Sequence, residues 1–242
     1  MASSSIGMEE IPYAPLPFAV NGSQASVKIS ENFNGSAPLI LVSGTKSEND
    51  VMRGEEAQLI GLFCLPDIPV VSDRDTVFVF PGTHSKHIFV AGGNITDFRT
   101  YMTGEVYNIL SEYSILKDSV IKNSDFEDAF NISAFKNGVE TSVSSNLLHS
   151  IFTVRTNQLF LKLTKEQNAF YLSGLLIGAE LNQLILDGPE RIVICSSRHL
   201  YAHYKAASEV LDLNENITFI EPELTDKATI AGQIQIFRSL SA

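Results

Sequence analysis

Residues 80–116 read FPGTHSKHIFVAGGNITDFRTYMTGEVYNILSEYSIL. They complete an apolar strand, Thr76-Val77-Phe78-Val79-Phe80, turn at Pro81-Gly82, and enter a second apolar run, His87-Ile88-Phe89-Val90. Gly92-Gly93-Asn94 supplies the next turn, Ile95–Arg99 a third strand, and Gly104–Tyr113 a helix. The tip Pro81-Gly82-Thr83-His84-Ser85-Lys86 offers backbone N–H groups, two hydroxyls and one cation at close spacing. That is the chemistry of a site for a phosphate chain. It is not the GxxxxGK[ST] loop, which the chain lacks.

Outward from this stretch, strand and helix signals alternate, which predicts an α/β fold. Ala37–Ser43 reads as a buried strand and Gly44–Asn49 as a polar loop. Glu55–Cys64 reads as a helix whose carboxylates suit its first turn. Lys117–Thr164 reads as helical with loops. Lys165–Leu186 reads as a helix whose Ser173, Gly174, Gly178 and Ala179 allow close packing on a neighbour. Arg191–Cys195 reads as a strand, Ser197–Leu211 as a helix, Ile217–Glu221 as a strand and Thr229–Phe237 as the last helix.

At 242 residues and 44% apolar composition, the chain can bury a large core or two small ones. A net charge of −11 and the lack of a basic run exclude nonspecific binding to nucleic acid or to an anionic membrane. No apolar run approaches the ~20 residues of a membrane helix. The N-terminus has no secretory pattern. Cys64 and Cys195 lie far apart in apolar segments and read as buried thiols of a cytoplasmic protein.

Three strands, a helix, then strand–helix–strand–helix resembles the ribonuclease-H-like domain used twice in the actin-like ATPase superfamily. Within it, the chain resembles the 2-dehydro-3-deoxygalactonokinases. Four segments carry the likeness: Val51-Met52-Arg53-Gly54-Glu55-Glu56-Ala57-Gln58, Pro81–Lys86, Asp97-Phe98-Arg99-Thr100-Tyr101-Met102-Thr103-Gly104-Glu105, and Ser173–Glu180. The resemblance implies an α/β chain of two such domains, residues 1–72 and 73–242, the last helix returning to the first. It implies ATP and Mg2+ as cofactors and phosphorylation of 2-dehydro-3-deoxy-D-galactonate to its 6-phosphate. The family's Asp-x-Gly-Ser/Thr hairpin has no counterpart here, and Met1–Met8 resembles an internal stretch of the family. The expectation is a front domain truncated at the N-terminus, either because the start is placed at an internal Met, the favoured explanation, or because the chain is a shortened paralogue; its bare sheet edge favours a homodimer. A binding paralogue without turnover, or a subunit completed by another chain, are the alternatives.

The resemblance assigns Gly82, Thr83, Ser85 and Lys86 to the phosphates, and Ser196 and Ser197 to the nucleotide. The two serines stand where the family has a glycine-containing turn. Asp50 and Glu55 are candidates for the base that accepts the sugar hydroxyl proton, with Arg53 beside them in the catalytic set. Acidic residues also belong in a first helical turn on dipole grounds. Arg53 suits a substrate carboxylate, or equally an internal pair with Glu56. Glu56, Arg99, Thr103 and Glu105 complete the substrate set, with Glu105 acting through magnesium or fixing Lys86. No metal ligands are assigned. His199 and His203 have the i, i+4 spacing of a metal pair but no third ligand nearby, and read as packing residues.

Overall fold

The computed structural model describes residues 11–30, 38–66, 75–122, 125–213 and 215–240. Met1–Met8, Ala37 and the other remaining positions lie outside the described residues. In chain order the strands begin with β1 (Ala14–Pro15), β2 (Phe18–Ala19), β3 (Val27–Ser30), β4 (Leu39–Val42), β5 (Thr45–Lys46) and β6 (Val51–Met52). Helix α1 (Glu55–Cys64) leads to β7 (Thr76–Phe80), β8 (Ser85–Ala91), β9 (Asn94–Tyr101) and α2 (Thr103–Tyr113). Then follow α3 (Ala129–Ser144), α4 (Leu147–Leu159), α5 (Lys165–Asp187), β10 (Arg191–Cys195), α6 (Arg198–Val210), β11 (Ile217–Ile220) and α7 (Pro222–Ser239).

The chain is therefore mixed α/β, as expected, and most predicted elements sit within one or two residues of their places. Several readings are corrected: Cys64, expected as a buried thiol, is exposed while Cys195 is buried, and β4, expected as a buried strand, is only half-buried along its length. The polar loop at Gly44–Asn49 holds β5, which pairs with both β1 and β6. The last helix starts at Pro222, seven residues before Thr229, because proline is pre-set for the first helical position and Glu223 suits the first turn. One helix, α5, is long and apolar enough to cross a membrane by length and composition. Its Leu172, Leu175 and Leu181 are instead fully buried within the protein.

The described residues form two compact units. The first holds the described residues within 1–80, 86–100 and 220–242. There β7 and β8 pair antiparallel, Thr76 opposite Val90 and Phe80 opposite Lys86. β9 lies beside β8, and β2 closes that edge with Phe18 opposite Ile95. Every residue of β7 is buried; a strand of four large apolar residues with no solvent face anchors a core, each large side chain contributing about 1.5–3 kcal/mol. Helices α1 and α7 cross closely, and Gln58 Nε2 donates to the Thr225 carbonyl at 3.1 Å.

The second unit holds Pro81–Ser85 and Tyr101–Phe219. Its core gathers Leu116, Val120, Val154, Leu172, Leu175 and Leu176. Helix α5 begins in a capping box: the Thr164 hydroxyl accepts from Gln167 N, and the Gln167 side chain accepts from Thr164 N. The small residues of α5 do what their size predicts. A Cβ on Gly174 would stand 2.1 Å from the Phe135 carbonyl oxygen, and one on Gly138 2.2 Å from that of Tyr171. The backbones of α3 and α5 thus touch reciprocally.

Candidate functional site

The hairpin tip differs from its sequence reading. Gly82 is half-buried and Thr83 exposed, whereas Ser85 and Lys86 are buried. The reason is that β8 begins at Ser85, so both residues are strand positions with neighbours on each face. Ser85 Oγ donates to Glu180 Oε1 at 2.7 Å. Lys86 Nζ donates to Thr100 Oγ1 at 2.6 Å. Two hydroxyls and a cation do not stand together at an open tip. Glu105 does not fix Lys86 either; its Oε2 lies within hydrogen-bond distance of His84 Nε2.

Within the second unit the centre of this region is Glu180, a carboxylate on the apolar helix α5 and 3% exposed. Besides Ser85, Tyr204 OH donates to its Oε2 at 2.9 Å, and Thr103 Oγ1 donates to the same oxygen. Three hydroxyls from the hairpin tip, the start of α2 and the middle of α6 converge on one carboxylate. A buried charge needs such satisfaction. Burial, with the Glu180 charge, pushes the Tyr204 phenol well above its usual range. Thr103 was placed in the substrate set; its hydroxyl is committed to Glu180.

Around this hub lies a cleft of about 430 Å³, lined by Gly82, Thr83, Gly104, Tyr107, Ser197 and His199 among others. Two helix N-termini open on it. Met102 before α2 and Ser197 before α6 make no side-chain cap. Gly104 is required by close approach: a Cβ there would stand 2.7 Å from the Gly82 carbonyl oxygen. Glu105 N donates to Thr83 O at 3.0 Å, so tip and helix start form one surface. Ser196 Oγ is buried with no partner among the described residues. A cleft with a glycine turn and two helix starts uncapped by side chains can hold a chain of phosphates. His203 lines the same cleft and stacks on Phe126, ring centroids 3.9 Å apart. Burial lowers its imidazole to about 4, which keeps it neutral. His199 and His203 thus read as cleft and packing residues; no group of three metal-ligating side chains occurs among the described residues.

The remaining predicted residues belong to the first unit. Asp50 Oδ2 accepts from Thr100 N at 2.6 Å and its Oδ1 from Thr100 Oγ1 at 2.7 Å. With Lys86 on the same hydroxyl, Asp50, Thr100 and Lys86 form a connected chain. Arg53 stacks over the Tyr13 ring at 4.6 Å and donates to the Ile11 carbonyl at 3.3 Å. Its Nε and Glu55 Oε2 are buried without hydrogen-bond partners among the described residues. Glu56 Oε2 accepts from Gly54 N at 2.8 Å. Burial raises the Glu56 carboxyl to about 7, so it is partly protonated near neutrality. Arg53 and Glu56 line a largely apolar cleft of about 580 Å³, Asp50 another of about 1080 Å³. Asp50 and Arg53 therefore line different clefts. Arg99 stacks on the Phe89 ring at 4.9 Å.

Sequence reasoning quoted Glu180 and Thr100 within matching segments but gave them no role. The signal for Glu180 was present: a single carboxylate midway along an apolar helix is rarely buried unless several donors meet it.

Fold and cleft together define an α/β chain with a cleft edged by two helix starts, and comparison with known proteins makes the class particular. Residues 1–236 match the family model described as 2-keto-3-deoxy-galactonokinase. The 2-dehydro-3-deoxygalactonokinase of Escherichia coli (strain K12) is 32% identical over 215 residues, covering 87% of this chain and 69% of that protein. The probable 2-dehydro-3-deoxygalactonokinase of Rhizobium meliloti (strain 1021) is 27% identical over 221 residues, covering 88% and 70%. The crystal structure of a Sinorhizobium meliloti protein, provisionally named as the same kinase, shares the fold with a TM-score of 0.77 at 24% identity, over 94% of this chain and 74% of that one. The chain belongs to the 2-keto-3-deoxy-galactonokinase family.

Proposed function

We propose that this chain is a sugar-acid kinase that transfers the γ-phosphoryl group of ATP to the terminal hydroxyl of 2-dehydro-3-deoxy-D-galactonate, giving the 6-phosphate. The fold reading that accompanies it is a pair of ribonuclease-H-like domains. One observation carries the proposal: Gly82, Thr83, Gly104 and two helix starts without side-chain caps share one cleft. Phosphoryl transfer is mostly positioning and charge stabilisation, which N-terminal helix amides supply.

In this reading Gly82 and Thr83 hold the phosphates through the backbone, and Ser197 flanks the nucleoside side. Ser85 and Thr103 brace the cleft through Glu180, and Lys86 braces Asp50 through Thr100. Glu55 is the base that accepts the sugar hydroxyl proton, because its Oε2 is a buried acceptor with no internal partner among the described residues. Arg53 meets the sugar-acid carboxylate, supported by its likewise unpartnered Nε. Since no three carboxylates meet among the described residues, Mg2+ would be held chiefly by the nucleotide phosphates. When bound, it would neutralise charge developing on the transferred group.

A second reading, binding without turnover, is favoured by the commitment of Lys86 to Thr100 rather than to the cleft. Coupled ADP release separates the two. The kinase reading expects release that requires both Mg-ATP and the keto-deoxy sugar acid, and that falls about 100-fold in Gly104→Ala, whose Cβ displaces the tip. Release indifferent to the sugar acid would sink it, as would full activity in Gly104→Ala.

A further inference from the structure

We propose that the outer face of α4, with the turn that follows it, is the surface through which two copies of this chain associate. Leu148, Phe152 and Leu159 recur at spacings of four and seven, so they form one stripe along the helix. They are 81%, 52% and 54% exposed, and the stripe continues in sequence into Phe160 and Leu161 at 66% and 90%. At these exposures the five side chains present on the order of 600 Å² of apolar surface, against about 800 Å² per partner in a standard dimer.

The occupant is argued from charge. The chain carries −11 overall, yet no acidic residue lies between Glu140 and Glu166. The one arginine or lysine within α4 is turned to its own chain. Arg155 donates to Gln158 Oε1 at 2.9 Å and to Ser119 Oγ at 3.3 Å, and Lys162 Nζ stands 5.8 Å from the Phe160 ring centroid. An acidic partner would be met by free cations and a basic one by carboxylates. A helix face without acids and with its one arginine engaged suits a like surface. It lets two strongly acidic copies meet where their mutual repulsion is least.

Leu161 adds an independent mark. It follows the helix end at φ 53°, a conformation that favours glycine, and it is almost wholly exposed. In an isolated chain this leucine gains nothing for its strain; against a second copy it becomes a central apolar contact. By comparison, the exposed Ile230, Ile234 and Phe237 of α7 share their helix with Asp226, Lys227 and Arg238.

Sedimentation equilibrium of the full chain over about 1–100 µM tests the surface. The expected result is a mass that rises to twice that of the chain. Phe152→Glu and Leu161→Gly should each weaken self-association at least about tenfold, while Ile234→Asp leaves it unchanged. Leu161→Gly relieves the backbone, so its folding is not endangered, and a thermal midpoint at or above that of the parent shows this. A parent chain that stays monomeric throughout overturns the proposal. So does a dimer that survives Phe152→Glu and Leu161→Gly, or one lost only in Ile234→Asp.

Discussion

Replacing Glu180 with leucine is expected to lower stability by about 3–5 kcal/mol, and replacing it with glutamine by about 1–2 kcal/mol. Leucine has nearly the right volume, so the difference isolates the polar atoms. In the leucine variant the hydroxyls of Ser85, Thr103 and Tyr204 lose their common acceptor while remaining in or near the core. Each stranded buried hydroxyl costs about 1–3 kcal/mol. The total stays below the sum because Ser85 Oγ lies 3.5 Å from Tyr204 OH and can turn to it. Glutamine keeps one acceptor oxygen, and rotatable hydroxyls adapt to it. Urea unfolding at unchanged slope measures both. The same substitutions should split function: turnover falls about 100-fold with leucine and under about tenfold with glutamine, because Ser85 and Thr103 hold the cleft's tip and helix start. A leucine variant within about 1 kcal/mol of the parent would show that Glu180 is not the hub described.

The second large effect lies where α1 crosses α7. A Cβ on Gly61 would stand 1.7 Å from the Ala228 carbonyl oxygen, and one on Gly232 1.7 Å from that of Ala57. The contact is reciprocal, backbone against backbone, with no flexible side chain to yield. Gly61→Val or Gly232→Val must therefore push the helices apart and expose the packing of Leu59, Leu62 and Ile236. Each should cost about 3–5 kcal/mol or abolish folding. Gly82→Ala is the internal contrast: a Cβ there meets nothing within 4 Å. Its unfolding midpoint should shift by no more than about 0.5 kcal/mol allows. Equal tolerance at Gly61 and Gly82 would refute the close crossing.

Legibility in the sequence followed the range of the interactions. Helix α1 was readable to the residue, since paired glutamates open it and apolar residues fill it. β7 was readable because four consecutive apolar residues after Thr76, closed by Pro81-Gly82, have one good solution. The burial of Ser85 was not readable, because its partner lies 95 positions away. The chain from Lys86 through Thr100 to Asp50 was hidden for the same reason; its outer members are 36 positions apart in sequence. Strands β1 and β2 are two residues each, too short to show alternation. Two signals were available and not used. Ala57-x-x-x-Gly61 and Ala228-x-x-x-Gly232 place small residues one turn apart on both helices, which marks a close crossing. Pro222-Glu223 marks a helix start.

In the proposed kinase, the pocket of Gly82, Thr83, Gly104 and the start of α6 takes a nucleotide's phosphates. Titrating Mg-ADP into the 15N-labelled chain and following backbone amides tests it most directly. The expected shifts are saturable and largest at Gly82, Thr83, Gly104 and Ser197. Saturable shifts centred on Asp50–Glu56 with these four unmoved would contradict it, as would no shift at millimolar nucleotide.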